Sequence, residues 1–399
     1  MWIDGIIRFE SKETSSVRNR AVKTSHPFTR VDYFVGVISG TSVDGLDLAL
    51  VEISSNTVEI KHAITVPFSD ALRTRLLSLT SNPDESTVQL GRSHAELGQF
   101  IGEQVAQFIS TFGYSKSDIV AVGSHGQTVC HQPEDEFSFS CQIGDASRIA
   151  AISGIDTIAD FRAADIASGG QGAPLVPILH ERVFRSKQVE RVVVNIGGIS
   201  NVTYLPIARA DPIIGFDTGP GNTLLDVWTQ HHFERNYDRQ GELASSGSIL
   251  ENLLPQFLAD PWFDIEPPKS TGKDHFNLKY IHDHNQISGM KTNPVDVLTT
   301  LTELTATSLS AAIRKWCCDS GEVIICGGGR LNKFLMDRIE HQLPNHLVLT
   351  SDALGINGDA IEAATFAYLA HLFLNGKAGN IPTVTGANCN RVLGCLYPA

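Results

Sequence analysis

A strand, a turn of small residues and a second strand follow one another once in each half of this 399-residue chain. Runs of apolar residues mark these strands, which we predict over 33–38 and 46–53 in the first half and over 191–196 and 201–205 in the second. Further strands and helices follow each unit. This repetition predicts an α/β protein of two related domains that face each other, with glycine turns at strand ends lining the cleft between them.

The composition supports a folded chain of two domains. Hydrophobic residues make up 42% of the chain and charged residues 19%, which is enough apolar material for packed cores and too little charge for disorder. At roughly 100 to 200 residues per domain, the length fits two domains. We predict a flexible extension over residues 1–31, a first domain over 32–157 together with 378–399, and a second domain over 158–377. The extension is basic but lacks the apolar stretch of a secretory signal peptide.

Charge and cysteine content argue against several classes of function. The formal net charge of -13 disfavours binding to nucleic acid, which needs a basic face to neutralise phosphates. The sequence contains no run of about 18 apolar residues, so we expect no transmembrane helix and no membrane partner. The seven cysteines are odd in number, scattered and without CxxC spacing, which indicates neither a disulfide framework nor a zinc site and favours a reducing cytoplasm.

The first turn, Ser39-Gly40-Thr41-Ser42-Val43-Asp44-Gly45, consists of residues that can surround an anion. Its backbone N–H groups and hydroxyls could wrap a phosphate, as phosphate-binding loops do. The Asp-Gly pair at its end is also typical of an ordinary hairpin turn that needs no ligand. Both interpretations stay open for this motif alone.

Residues 215–222 contain the carboxylate best placed for proton transfer. We predict that Asp217 follows the short strand 213–216 and precedes a helix, at the sheet edge where α/β proteins bind ligands. There it could accept a proton from a hydroxyl or from water, the usual requirement in phosphoryl transfer. Its alternative role is that of a helix N-cap or an Asx turn.

A run of three glycines, Gly327-Gly328-Gly329, leads from a strand over 322–326 towards a helix. The missing side chains would allow a flat ring or a phosphate to approach the backbone. A plain connection between a strand and a helix would use the same residues. This motif therefore supports a ligand site only together with the others.

Polar groups after the strand over 119–123 form a fourth candidate site. His125, Arg162 and the loop 169–174 could bind sugar hydroxyls, and Arg162 could meet a carboxylate bidentately. A lone histidine in a loop at a strand end is more often structural than catalytic. The run 269–274 looks like a Walker A fragment but lacks the residues and spacing of that motif.

Taken in order, these motifs resemble those of two-domain ATPases of the actin and hexokinase type, in which a hairpin turn from each domain holds the nucleotide phosphates. More closely, they are similar to the anhydro-N-acetylmuramic acid kinase family. The resemblance runs from about Tyr33 to Ala399 and rests on the segments 39–47, 123–128, 160–162, 169–177, 195–198, 215–222 and 326–329. It implies two actin-like, ribonuclease H-like α/β domains with a nucleotide cleft between them.

The resemblance also implies a reaction. Enzymes of this family open the 1,6-anhydro ring of 1,6-anhydro-N-acetylmuramic acid with water while ATP phosphorylates O6, giving N-acetylmuramate 6-phosphate and ADP in cell-wall recycling. ATP and Mg²⁺ would be the cofactors, and a homodimer is implied. Because the chain is acidic, we expect backbone N–H groups, hydroxyls and Mg²⁺, with few lysines, to hold the phosphates.

Roles follow position by position from the same resemblance. Asp217 would be the general base that activates water. Glu362 would be a catalytic acidic residue near the metal or the phosphates. The residues that bind the metal are otherwise not assigned. The ATP-binding residues would be Gly40, Thr41, Ser42, Val43, Asp44, Gly45, Leu46, Asp47, Gly197, Gly198, Gly327, Gly328 and Gly329. The sugar would contact His125, Arg162, Gln171 and Asp217.

Two other functions stay open on the sequence. A kinase of an ordinary amino-sugar hydroxyl would use Asp217 to deprotonate that hydroxyl instead of water. An ATPase with a conformational role, such as a chaperone or a filament protein, would need a further domain or an assembly surface, and only a short tail follows the final predicted helix.

Overall fold

The computed structural model describes residues 31–40, 42–81, 86–287 and 292–399, without the side chains of 285–287. Its strands are β1 Asp32–Ser39, β2 Gly45–Ile53, β3 Val58–Pro67, β4 Ile119–Gln132, β5 Phe139–Ile143, β6 Thr157–Ala159, β7 Arg191–Ile196, β8 Ile199–Leu205, β9 Ile214–Pro220, β10 Gly321–Cys326, β11 His346–Thr350 and β12 Cys395–Tyr397. Its α-helices are α1 Asp70–Ser81, α2 Thr87–Thr111, α3 Ala146–Ser153, α4 Ala163–Ile166, α5 Pro177–Phe184, α6 Thr223–Phe233, α7 Leu254–Leu258, α8 Leu278–Ile287, α9 Pro294–Trp316, α10 Lys333–Gln342, α11 Ile361–Leu374 and α12 Pro382–Thr385.

Within the described residues the strands form two sheets of the same topology. The first has the order β12-β6-β4-β1-β2-β3, with β5 paired to β4, and the second has the order β11-β10-β7-β8-β9. In each, three consecutive strands form an antiparallel meander whose first strand pairs in parallel with the next strand of the sheet. This repeated order is that of a duplicated ribonuclease H-like unit. The prediction of two actin-like α/β domains is confirmed.

The apolar periodicity of the sequence marks the faces that are buried. Leu97, Ile101, Val105 and Phe108 of α2 lie in the core beside the first sheet, as a stripe at helical spacing predicts. The Ser86 side chain accepts the Gln89 N–H and caps the start of this helix.

Helix α11 packs across β1, β2 and β4 of the first sheet. Two glycines in those strands make the close approach possible, since a Cβ at Gly36 would collide with the Ala363 carbonyl and one at Gly123 with the Phe366 carbonyl. The same hydrophobic cluster continues to Val193 of β7 and to Ile324 of β10 in the second sheet. Helix α11 therefore lies between the two sheets, and its first turn carries Glu362.

The division of the chain into domains stays a prediction. Strand β6 pairs with β4, and α11 packs on the first sheet, although the predicted boundaries place residues 158–377 in the second domain. The predicted extension lies outside the described residues except for Val31. All seven cysteines are free thiols. In the described part of the chain, no helix combines the length and the apolar character needed to cross a membrane.

Candidate active site

The turn between β1 and β2 is the predicted hairpin, and its backbone is strained. Val43 is fully buried with φ of 51°, a left-handed conformation that a β-branched residue rarely adopts. Its N–H donates to the Gly40 carbonyl at 3.1 Å, and its carbonyl accepts from Arg73 Nε at 3.1 Å. The Ser42 hydroxyl donates to Asp44 Oδ1 at 2.9 Å, and both side chains are exposed. These bonds fix the shape of the turn. Thr41 lies outside the described residues.

Several carboxylates lie close to one another near this turn. Burial raises the pKa of Asp47, and the charges of Asp44 and Asp359 raise it further, against a 2.5 Å hydrogen bond donated by Thr65 Oγ1. Burial likewise raises the pKa of Glu362 on α11, the Asp47 charge adds to this, and the charge of Arg162 opposes it. These acidic groups repel one another, so a bound cation would relieve their repulsion.

The glycine run after β10 lies against the end of β7. A Cβ at Gly327 would overlap the Asn195 amide, and one at Gly329 would overlap the Ile196 side chain, so only glycine permits this contact. The side chain of Arg330 holds this glycine loop in place. Its Nη1 donates to the Gly327 carbonyl at 3.0 Å and to Asp359 Oδ1 at 2.6 Å. Because the Asp359 charge also acts on Asp47, this buried arginine links the glycine loop to the first turn.

The second turn, Gly197-Gly198, is tied to the start of α6. The Gly198 carbonyl accepts the N–H groups of Gly221 at 2.9 Å and Thr223 at 3.0 Å, and the Gly197 carbonyl accepts that of Asn222 at 2.8 Å. This turn therefore lies where the ends of β7 and β9 meet the first turn of α6.

Asp217 lies within β9 and not at its end, which corrects the prediction. The strand continues to Pro220 because that residue still pairs with Ile199 of β8. Asp217 Oδ2 accepts the Thr271 N–H at 2.9 Å, and its own N–H donates to the Lys269 carbonyl at 2.9 Å.

Burial raises the pKa of Asp217 to about 6, while the Thr271 N–H and the charge of Lys269 lower it in part. The carboxylate is thus ionised at neutral pH and more basic than an exposed aspartate. That combination suits a general base.

His125 lies inside a strand as well, because β4 continues through the predicted loop to Gln132. Arg162 Nε donates to His125 Nε2 at 2.9 Å, so the imidazole carries its proton on Nδ1, which donates to the Gly126 carbonyl at 3.1 Å. Burial and the nearby guanidinium hold the pKa of His125 well below its usual value. Arg162 Nη1 also donates to the Gly172 carbonyl at 2.6 Å, so these two bonds use two of the five N–H groups of the guanidinium.

The loop 169–174 is connected to the strand of Asp217 through α12. Asp165 Oδ2 accepts the Gly172 N–H and its Oδ1 accepts the Thr385 hydroxyl, each at 2.8 Å. Gln171 has an exposed side chain, and its N–H donates to the Thr385 carbonyl at 2.8 Å. Helix α12 in turn packs on β9. The candidate sugar residues therefore stand on one connected framework.

The structure brings the predicted residues into two groups. Glu362 interacts with Asp47 and Arg162, and Arg162 with His125, whereas the run 327–329 packs against Asn195 and Ile196, which directly precede Gly197-Gly198. Sequence reasoning missed the Arg330–Asp359 pair, although Arg330 directly follows the three glycines. It also set aside the run 269–274, which supplies the acceptor of the Asp217 N–H and a backbone donor to its carboxylate.

Residues 32–399 match the family model described as anhydro-N-acetylmuramic acid kinase. A Coxiella burnetii protein of that name is 43% identical over 364 residues, which cover 91% of this chain and 97% of the relative. Proteins of the same name from Xylella fastidiosa and Vibrio vulnificus are 42% and 41% identical, and each match covers 92% of this chain and 96% and 98% of the relatives. Among solved structures, component A of the (R)-2-hydroxyglutaryl-CoA dehydratase of Acidaminococcus fermentans is similar at a TM-score of 0.44 and 14% identity, covering 84% of this chain and 98% of its own.

Proposed function

The chain belongs to the anhydro-N-acetylmuramic acid kinase family, and we propose that Asp217 is the general base of its reaction. The enzyme is a kinase that acts on 1,6-anhydro-N-acetylmuramic acid with ATP, in cell-wall recycling. The product is N-acetylmuramate 6-phosphate.

The observation that carries the proposal is the environment of Asp217. Its carboxylate is partly buried, has a pKa of about 6 and is held by the Thr271 N–H. In the step we propose, a water molecule attacks C1 of the sugar and gives its proton to Asp217. The C1–O6 bond breaks, and O6 forms its new bond to the γ-phosphorus as the bond to ADP breaks. Because O6 takes the phosphoryl group, no side chain needs to protonate it.

We propose that the two turns hold the ATP phosphates between them. The first consists of Gly40 to Asp47, including Thr41, and the second of Gly197 and Gly198. The fixed backbone of the first turn and the glycine contacts of the second support this assignment. Gly327, Gly328 and Gly329 would take the other end of the nucleotide, since the run packs against Asn195 and Ile196, which directly precede the second turn.

Mg²⁺ fits the carboxylates behind the first turn. In the described residues, no group of three or more His, Cys, Asp and Glu side chains could hold a metal ion by itself. Magnesium in kinases is usually bound by one or two carboxylates together with phosphates and water. Asp47 and Glu362 would be those carboxylates, and the ion would neutralise phosphate charge when bound. This assignment also accounts for the mutual repulsion of the two groups.

For the sugar, we propose contacts from Arg162, Gln171 and His125 on the framework that α12 joins to β9. Neutral His125 would keep the guanidinium of Arg162 in place through their hydrogen bond.

We also propose a cytoplasmic homodimer. The free cysteines are consistent with a reducing compartment, and the homodimer rests on the family resemblance alone.

The experiment that tests the function compares two sugars. 1,6-Anhydro-N-acetylmuramate and N-acetylmuramate are offered separately with ATP and Mg²⁺, and ADP release is followed. We expect fast release with the anhydro sugar and little with the other. Comparable rates would identify a kinase of an ordinary hydroxyl, and ATP turnover that responds to unfolded peptide but to neither sugar would identify a conformational ATPase.

A further inference from the structure

The segment 269–273 extends from Asp217 to the second turn. Thr271 donates its N–H to the Asp217 carboxylate, and two residues later the Lys273 side chain reaches Gly198. A Cβ built on Gly198 would lie 3.6 Å from Lys273 Cε. Lys273 is exposed, so its ammonium group is available to a ligand at this turn.

The two lysines of the segment differ in what their ammonium groups contact. Lys269 Nζ donates to the carbonyls of Trp262 at 3.2 Å and Phe263 at 3.0 Å, and it lies 4.2 Å from the centre of the Trp262 ring. These contacts use the charge of Lys269 to hold the segment itself. Lys273 has a different neighbour, because its positive charge acts on Asp226 in the first turn of α6.

We propose that Lys273 binds the terminal phosphates of ATP at the Gly197-Gly198 turn. This inference rests on the function proposed above. The stem of Lys273 lies within van der Waals distance of a side-chain position at Gly198, and a flexible stem with a compact charge suits a polyphosphate. Asp226, on the helix that follows the turn, would draw the ammonium group towards the turn before ATP binds.

This role gives the segment two functions in one short stretch of chain. Thr271 holds the base, and Lys273 holds the group that is transferred, so nucleotide binding would order the backbone that positions Asp217. It also modifies the expectation that few lysines contact the phosphates, since one lysine would join the backbone N–H groups and Mg²⁺.

The test compares K273M and K273R with K279M, which alters an exposed lysine of α8 that pairs with Asp283. Binding of ATP and of AMP is measured by calorimetry at fixed Mg²⁺, and thermal midpoints are recorded for each variant. A hydrogen bond to a charged group contributes roughly 1.5–3 kcal/mol, which corresponds to about 10- to 100-fold in affinity. We expect K273M to weaken ATP binding by that factor and AMP binding by less than about threefold, with K273R intermediate and K279M unchanged.

Two results would overturn the proposal: unchanged ATP binding in K273M, or an equal loss of ATP and AMP binding, which would indicate a structural role. The same preparations are assayed for sugar phosphorylation. A wild-type protein that binds ATP through Lys273 but does not phosphorylate the anhydro sugar would refute the proposed function and leave this inference standing.

Discussion

Replacing Asp217 by Asn should stabilise the fold while abolishing turnover. Burial raises the pKa of Asp217 from its ordinary value of 3.8 to about 6. Each pKa unit corresponds to 1.36 kcal/mol, so keeping this carboxylate ionised in the folded protein costs about 3 kcal/mol. Asn removes the charge, has nearly the same size and can still accept the Thr271 N–H.

The sign of the pH dependence follows from linkage. The folded state binds the Asp217 proton more tightly than the unfolded state, so this cost is fully present above about pH 6 and is lost as the pH falls towards 4. The D217N variant should therefore unfold at higher urea concentration than the wild type at pH 8. At pH 4 the two proteins should be nearly equal.

The assay is urea unfolding followed by circular dichroism at both pH values, with kcat measured at saturating substrates. A matched control is D226N, since burial also raises the pKa of Asp226 to about 6. It should gain stability and keep its kcat at saturating ATP. A D217N protein that is no more stable than the wild type at pH 8, or that retains near-normal kcat, would refute the reasoning.

Three further predictions concern the base, the glycine loop and the packing of α11. The acidic limb of kcat/KM should fall with unit slope below about pH 6, as Asp217 becomes protonated, and a flat profile between pH 5 and 8 would contradict this. R330K should raise the KM for ATP and lower stability by roughly 1.5–3 kcal/mol in urea unfolding, because lysine cannot make the same set of hydrogen bonds; an unchanged KM would count against the link. G36A should lower the thermal midpoint strongly because its Cβ would strike the Ala363 carbonyl, whereas G91A, with open space around it in α2, should be neutral or stabilising.

Local patterns in the sequence were sufficient for the parts of the fold that depend on periodicity. The apolar stripe of α2 predicted which of its residues are buried, and the repeated strand-turn-strand unit predicted two related α/β domains. The run Gly327 to Gly329 was predicted either to let a ligand approach the backbone or to be a plain connection, and the structure packs it against Asn195 and Ile196. These features are encoded by neighbours in the chain.

The rest depends on partners that are distant in sequence. Asp217, Thr218 and Gly219 look like a turn, but cross-strand pairing with β8 keeps them in a strand. Pairing of β4 with β1 and with β5 does the same for the residues around His125. The hydrogen bond between Thr271 and Asp217 joins residues 54 apart in the sequence, and no local pattern predicts it. Sequence spacing therefore indicated Asp217 as the candidate base but not the segment that holds it.

The most direct test of the central claim is to follow the oxygen of water through one turnover. The reaction is run with 1,6-anhydro-N-acetylmuramate and ATP in ¹⁸O-labelled water, quenched within seconds and analysed by mass spectrometry, with unlabelled product incubated in parallel to measure exchange at C1. If Asp217 activates water for attack at C1, the product carries one ¹⁸O at C1 and none in its phosphate group. Product with ¹⁸O in the phosphate group, or without label at C1 beyond exchange, would contradict the mechanism.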